Sequence, residues 1–268
     1  MTSLASFAEQ ARAYLFTQVG NCFTNTSRGP GRCWVCTGPT GVDSVQMCSQ
    51  CSNQRTEFGT GLADLVLPLT YVRGWMTPAH QSQHLVQRYK SPVQPSEWSA
   101  GLLQFMIYAA TAIHGPCIAA AAGWWQVMTF IPSASRPGVE HPVVGLAQKV
   151  FEHGMQVERV VMTPTEHIAA KGRYPRRDMF TLAPNVAAKV RGRHVLVVDD
   201  TWVSGEKAQS AALTLKAAGA SRVTVLCVAR WLSYKWGDHR RVIDGPPPLA
   251  PYDALACPVG PGACAALR

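Results

Sequence analysis

A chain of 268 residues with 47% hydrophobic and 15% charged residues can bury a sizeable core, which excludes a disordered chain and suggests one main domain with a smaller module. Its formal net charge of +9 predicts attraction to polyanions, whether nucleic acid or a substrate bearing phosphate and diphosphate groups. Nine cysteines, and a first stretch with no basic start or clean apolar core, argue against a secreted disulfide framework and for metal ligands or free thiols in a cytoplasmic protein.

Thr2 to Val19 reads as a short amphipathic helix with Leu4, Phe7, Ala11, Tyr14 and Leu15 near one face. Cys33, Cys36, Cys48 and Cys51 follow, two Cys-x2-Cys pairs separated by eleven residues and by turns at Gly38, Pro39 and Gly41. Four thiolates in two close pairs make a closed tetrahedral site, so the expected metal is a structural zinc ion with no place for a catalytic water. Cys22 has no partner at such spacing and is expected to be free.

Leu65 to Val72 predicts a strand and Gln81 to Lys90 a helix; His80 and His84, with no acid or cysteine beside them, are expected on a solvated face. The two prolines of Ser91 to Ser96 end that element. Trp98 to His114 predicts a helix. The apolar region from Leu102 to Trp125 is broken by Gln104, His114, Gly115 and Pro116, so it is expected in the core rather than in a membrane. Trp125 to Ile131 predicts a buried strand running into the polar loop Pro132 to Gly138. Pro142 to His153 then predicts a helix, and Val157 to Thr163 a strand. Lys171 to Arg177 places four cations in seven residues, equally suited to closing over a diphosphate or to a solvated loop touching nucleic acid.

The centre of the sequence is Val195 to Gly205. Val195 to Val198 are four consecutive apolar residues, the pattern of a strand buried on both faces of a parallel sheet. Asp199 and Asp200 close it. Thr201, Trp202, Val203, Ser204 and Gly205 form a loop. Glu206 to Ala218 predicts a helix with Ser204 at its N-cap, and Val223 to Ala229 the next strand. Free amides at a helix start favour an anion, and the two carboxylates can accept from sugar hydroxyls directly or through a divalent cation, so a phosphorylated sugar fits both halves.

This stretch resembles the phosphoribosyl-pyrophosphate (PRPP) signature of type I phosphoribosyltransferases, with departures at Thr201, Trp202 and Lys207. It also resembles the start of a receiver domain, but residues 201 to 268 are too few to complete one. With the four-cysteine module upstream, the chain resembles the ComF-like family, in which a zinc ribbon precedes a type I transferase domain. The resemblance implies an α/β fold, a parallel sheet flanked by helices with a small N-terminal zinc-ribbon module. It divides the chain into a cysteine module at 1–60, a bridge at 61–97, a phosphoribosyltransferase-like domain at 98–236 and a Pro/Gly-rich tail at 237–268.

It further implies PRPP bound with Mg²⁺, Asp199 and Asp200 at the ribose hydroxyls and metal shell, and residues 201–205 at the 5′-phosphate. Ser133, Ala134, Ser135 and Arg136, helped by Arg173, would receive pyrophosphate as an unidentified acceptor attacks. The alternative is a nucleic-acid-associated protein whose zinc module and basic loops contact single-stranded DNA. Cys257 and Cys264 follow no common zinc spacing and are expected to hold no metal.

Overall fold

The computed structural model describes residues 3–132, 141–169, 172–246 and 248–260. In chain order these form α1 (Leu4–Val19), β1 (Thr24–Asn25), α2 (Ser49–Phe58), β2 (Leu65–Gly74), α3 (Gln81–Arg88), α4 (Glu97–Ala122), β3 (Val127–Phe130) and α5 (Val143–Ala147). They continue with β4 (Glu158–Arg159), β5 (Thr163–Pro164), β6 (Phe180–Thr181), α6 (Pro184–Val190), β7 (His194–Trp202), α7 (Glu206–Ala217), β8 (Arg222–Ser233) and α8 (Gly237–Asp244).

The main sheet has the order β1-β2-β8-β7-β3-β4, parallel throughout except for β1 at its edge, as the run of apolar residues at its centre predicts. Val195 to Val198 are fully buried, and the pleat divides them. Leu196 and Val198 face a layer built from α1, α3, α4 and α5, whereas Val195 and Val197 face α7 and the cysteine module. The same alternation continues in β8, with Leu226 and Val228 on one side and Val223, Val225 and Cys227 on the other. Both faces are therefore covered, so the middle of each strand, Val195 to Val198 and Val225 to Ala229, is apolar and the polar residues gather towards the ends.

Four elements depart from the sequence expectation. β7 runs on through Thr201 and Trp202, which were expected in the loop, because its ladder to β8 continues to the pair of Trp202 with Arg230. α4 runs through Gly115 and Pro116 to Ala122 as one 26-residue helix, long and apolar enough to span a membrane but packed on the sheet through Leu103, Met106, Ile107 and Ile113. Burial along its length outweighs the single backbone bond that proline removes. α5 stops at Ala147, six residues early, because the Phe151 amide donates to Thr111 Oγ1 on α4 at 2.9 Å and draws the chain out of the helix. The predicted strand from Val157 to Thr163 is divided. Glu158 and Arg159 extend the main sheet, while Thr163 and Pro164 pair with Phe180 and Thr181 in a separate two-stranded sheet.

Adjacent strands β3 and β7 leave in opposite directions. From β3 the chain passes through α5 to β4 on one side, and from β7 through α7 to β8 on the other. The crevice beyond their carboxyl ends is the switch point of the sheet, where ligands bind in open α/β folds.

Candidate functional site

That crevice is a cleft of about 580 Å³ bordered by the residues from Asp199 to Ala208, with Lys90, Ile131, Trp75 and Trp231 completing the wall. β7 carries the two acids because its ladder to β8 continues past the apolar run, pairing Asp199 with Cys227 and Trp202 with Arg230.

The acids differ in their surroundings. Asp200 is 6% exposed, and both of its oxygens are engaged: Tyr89 Oη donates to Oδ2 at 2.5 Å and Lys90 Nζ to Oδ1 at 2.9 Å. Burial alone would raise its pKa, but the Lys90 charge and these hydrogen bonds outweigh it and hold the carboxyl below the ordinary value. Asp199 is half-buried, with Oδ1 accepting from the Asp200 amide at 2.9 Å. Burial, reinforced by the charge on Asp200, pushes its pKa up to about 7 against the opposing pull of Lys90 and Lys207. Asp200 is thus a fixed anion tied to the end of α3, and Asp199 is the carboxyl left to face a ligand.

A carboxyl whose folded pKa lies above its unfolded value near about 4 keeps its proton longer in the folded state. Its effect on stability is therefore smallest at low pH, and stability is lost as pH rises from about 4 to about 7. Asp199→Asn is expected to flatten that part of the profile. Urea midpoints should show the variant gaining on the wild type up to neutral pH, by at most a few kcal/mol, and holding that lead above it. Parallel profiles for the two proteins would count against the assignment.

The loop turns over the indole of Trp202, which is 1% exposed. Gly205 takes φ +77°, and a Cβ there would meet that ring at 2.2 Å, so the turn admits only glycine. The tryptophan that departs from the aliphatic signature thus fills the space beneath the loop. Gly205, rather than the expected Ser204, is the N-cap of α7, and Ser204 Oγ instead accepts from the Glu206 amide at 3.4 Å. Among the described residues, the amides of Ser204 and Gly205 reach no acceptor, and they stand at a helix start beside Lys207. Such a turn is built to receive an anion.

The cysteine module packs behind this loop. The sulfurs of Cys33, Cys36, Cys48 and Cys51 lie within 4.8 Å of one another, with Cys36 and Cys48 at 3.8 Å. The edge of a tetrahedron of about 2.3 Å zinc–sulfur bonds is about 3.8 Å, so the four thiolates fit a zinc ion. Gln54 of α2 donates to the Ser204 carbonyl at 3.2 Å. Arg230 is 5% exposed and donates through Nη1 to the carbonyls of Trp202, Val203 and Trp231 at 3.2, 2.8 and 2.8 Å. Burial opposes the charge on Arg230, but the nearby cysteine sulfurs, Cys36 first, outweigh it and raise its pKa.

The fold therefore brings Asp199, Asp200 and the residues from Thr201 to Gly205 to one cleft, and collects the four cysteines behind it. Arg173 is placed on the other side of the loop, its guanidinium 4.7 Å from the centre of the Trp236 ring. Ser133, Ala134, Ser135 and Arg136 lie outside the described residues. Tyr89, Lys90 and Arg230 were not picked out from sequence as site residues. Their partners are 111, 110 and 28 residues away, and no local spacing encodes that.

No family model matches the sequence, and no curated protein matches it. Among solved structures the chain is similar to a hypoxanthine phosphoribosyltransferase from Staphylococcus aureus, with 10% identity, 47% of this chain and 64% of that chain covered, and a TM-score of 0.31. It is also similar to the allosteric regulatory enzyme of purine biosynthesis, with 17% identity, 46% and 26% coverage and a TM-score of 0.28. A phosphoribosyltransferase from Corynebacterium diphtheriae gives 15% identity, 52% and 80% coverage and a TM-score of 0.28. The chain spans less than two thirds of the first two, and likeness at these scores adds nothing to the topology already described.

Proposed function

We propose that the cleft binds PRPP with Mg²⁺ and that the protein transfers the phosphoribosyl group to an acceptor, releasing pyrophosphate. The observation that carries this reading is the conjunction at the switch point of a ligand-facing carboxyl, Asp199, with the unbonded amides of Ser204 and Gly205. The amides and Lys207 suit the 5′-phosphate. Asp199 accepts from the ribose hydroxyls and supplies a carboxylate to the metal shell, while Asp200 fixes the strand end through Tyr89 and Lys90. Mg²⁺, when bound, offsets the charge of the diphosphate. In the transfer the acceptor's electron pair forms a bond to the anomeric carbon, the bond from that carbon to the diphosphate oxygen breaks with its pair leaving on pyrophosphate, and the acceptor releases a proton. Positioning and fixed charge supply the rate.

Calorimetric titration of the full chain with PRPP and Mg²⁺ tests the reading. Saturable binding is expected, weakened about tenfold or more by Asp199→Ala, a loss of about 1.4 kcal/mol. No heat at millimolar ligand would overturn it. Release of pyrophosphate with a candidate acceptor then separates a transferase from a protein that only binds.

A further inference from the structure

α4 carries His114 and Cys117 three residues apart, on one side of the helix near its end, and the segment after Tyr252 brings Cys257 to them. A ring nitrogen of His114 and the sulfurs of Cys117 and Cys257 lie within 4.8 Å of one another. The imidazole is 1% exposed. Its Nε2 is 2.8 Å from the carbonyl oxygen of Ala254, so Nε2 carries the proton and donates it. That leaves a lone pair on Nδ1, which is buried without a hydrogen-bond partner among the described residues. A carbonyl that fixes one nitrogen while the other stays open is the arrangement found behind metal-bound histidines.

We propose that His114 Nδ1, Cys117 Sγ and Cys257 Sγ form a second zinc site, made available when the disulfide that holds Cys117 is reduced. Two thiolates and an imidazole are a zinc donor set, with the fourth position left to water. Cys117 is disulfide-bonded in this structure. A dithiol opens the bond: its first thiolate attacks the disulfide, and its second closes the reductant's own ring. The two electrons pass to the protein sulfurs, and Cys117 becomes a thiolate. Zinc then displaces the proton of Cys257, which is half-buried and carries no disulfide. Separations of up to 4.8 Å close to tetrahedral edges of about 3.8 Å by side-chain rotation. The site lies on the α4 face of the sheet, whereas Cys33, Cys36 and Cys51 pack on the other, so the two metals are independent. From sequence Cys257 was expected to hold no metal, because its partners lie 143 and 140 positions earlier, on a helix.

The test counts zinc in the full-length protein, purified anaerobically with dithiothreitol, loaded with zinc and desalted. About two equivalents per chain are expected, and about one for Cys257→Ala and for His114→Ala. In the cobalt-loaded protein, the thiolate-to-metal absorbance should fall in the same variants. The equivalent retained at the four-cysteine site reports that each variant has folded, and Cys36→Ser should lose that equivalent while keeping the second. A reduced wild type holding one equivalent, or either variant still holding two, would overturn the proposal.

Discussion

Replacing Cys36 with serine is expected to lower the stability of the whole chain by about 5 kcal/mol or more, which for a protein of this size is about 10 °C in the unfolding midpoint. The effect is large because the module is not a surface attachment. Cys33, Cys36 and Cys51 are buried in one cluster with Val127, Val197 and Trp202, so a lost ligand opens the core beneath the loop as well as the metal site. Binding free energy for a closed four-thiolate zinc site is also folding free energy, since the unfolded chain offers no preformed cage. Calorimetric unfolding beside zinc analysis checks this. A zinc-free variant that melted with the wild type would show that the thiols pack without needing the metal.

Arg230→Met is expected to cost about 3–5 kcal/mol, seen as a shift in the denaturant midpoint, and to weaken PRPP binding as well. Zinc held by four thiolates carries a net charge of about −2. Arg230 is the buried cation between that charge and the loop, and one of its nitrogens joins the carbonyls of Trp202, Val203 and Trp231. Methionine fills much of the same volume but leaves three carbonyls without their donor and the thiolates without their counter-charge. Gly38 shows how tightly the guanidinium is enclosed, since a Cβ there would meet Nη2 at 2.4 Å. Arg230→Lys keeps the charge but cannot reproduce the planar fork, so an intermediate loss is expected. A methionine variant as stable as the wild type would remove Arg230 from the account of the loop.

What could be read in advance was local. The run from Val195 to Val198 announced a doubly covered strand because four adjacent apolar side chains leave no polar face. The two Cys-x2-Cys pairs announced their cluster because each is held locally, Cys33 and Cys36 on a turn and Cys48 and Cys51 at the start of α2. Contacts between distant segments were not legible. Tyr89 and Lys90 looked like the end of a surface helix, and only the docking of α3 against the strand end makes them partners of Asp200. Pro116 read as a break, whereas the layer of side chains from Leu103 to Ile118 holds the helix together across it. The early end of α5 depends on the Thr111 hydroxyl, a partner forty residues away that periodicity does not register.

The bond from Gln54 to the Ser204 carbonyl joins residues 150 positions apart and braces the cleft loop from the cysteine-bearing segment behind it. Natural or engineered chimeras should therefore inherit the two segments as a matched pair. A foreign ribbon of identical zinc spacing, grafted ahead of residue 61, would supply the metal cage yet leave the loop without its brace.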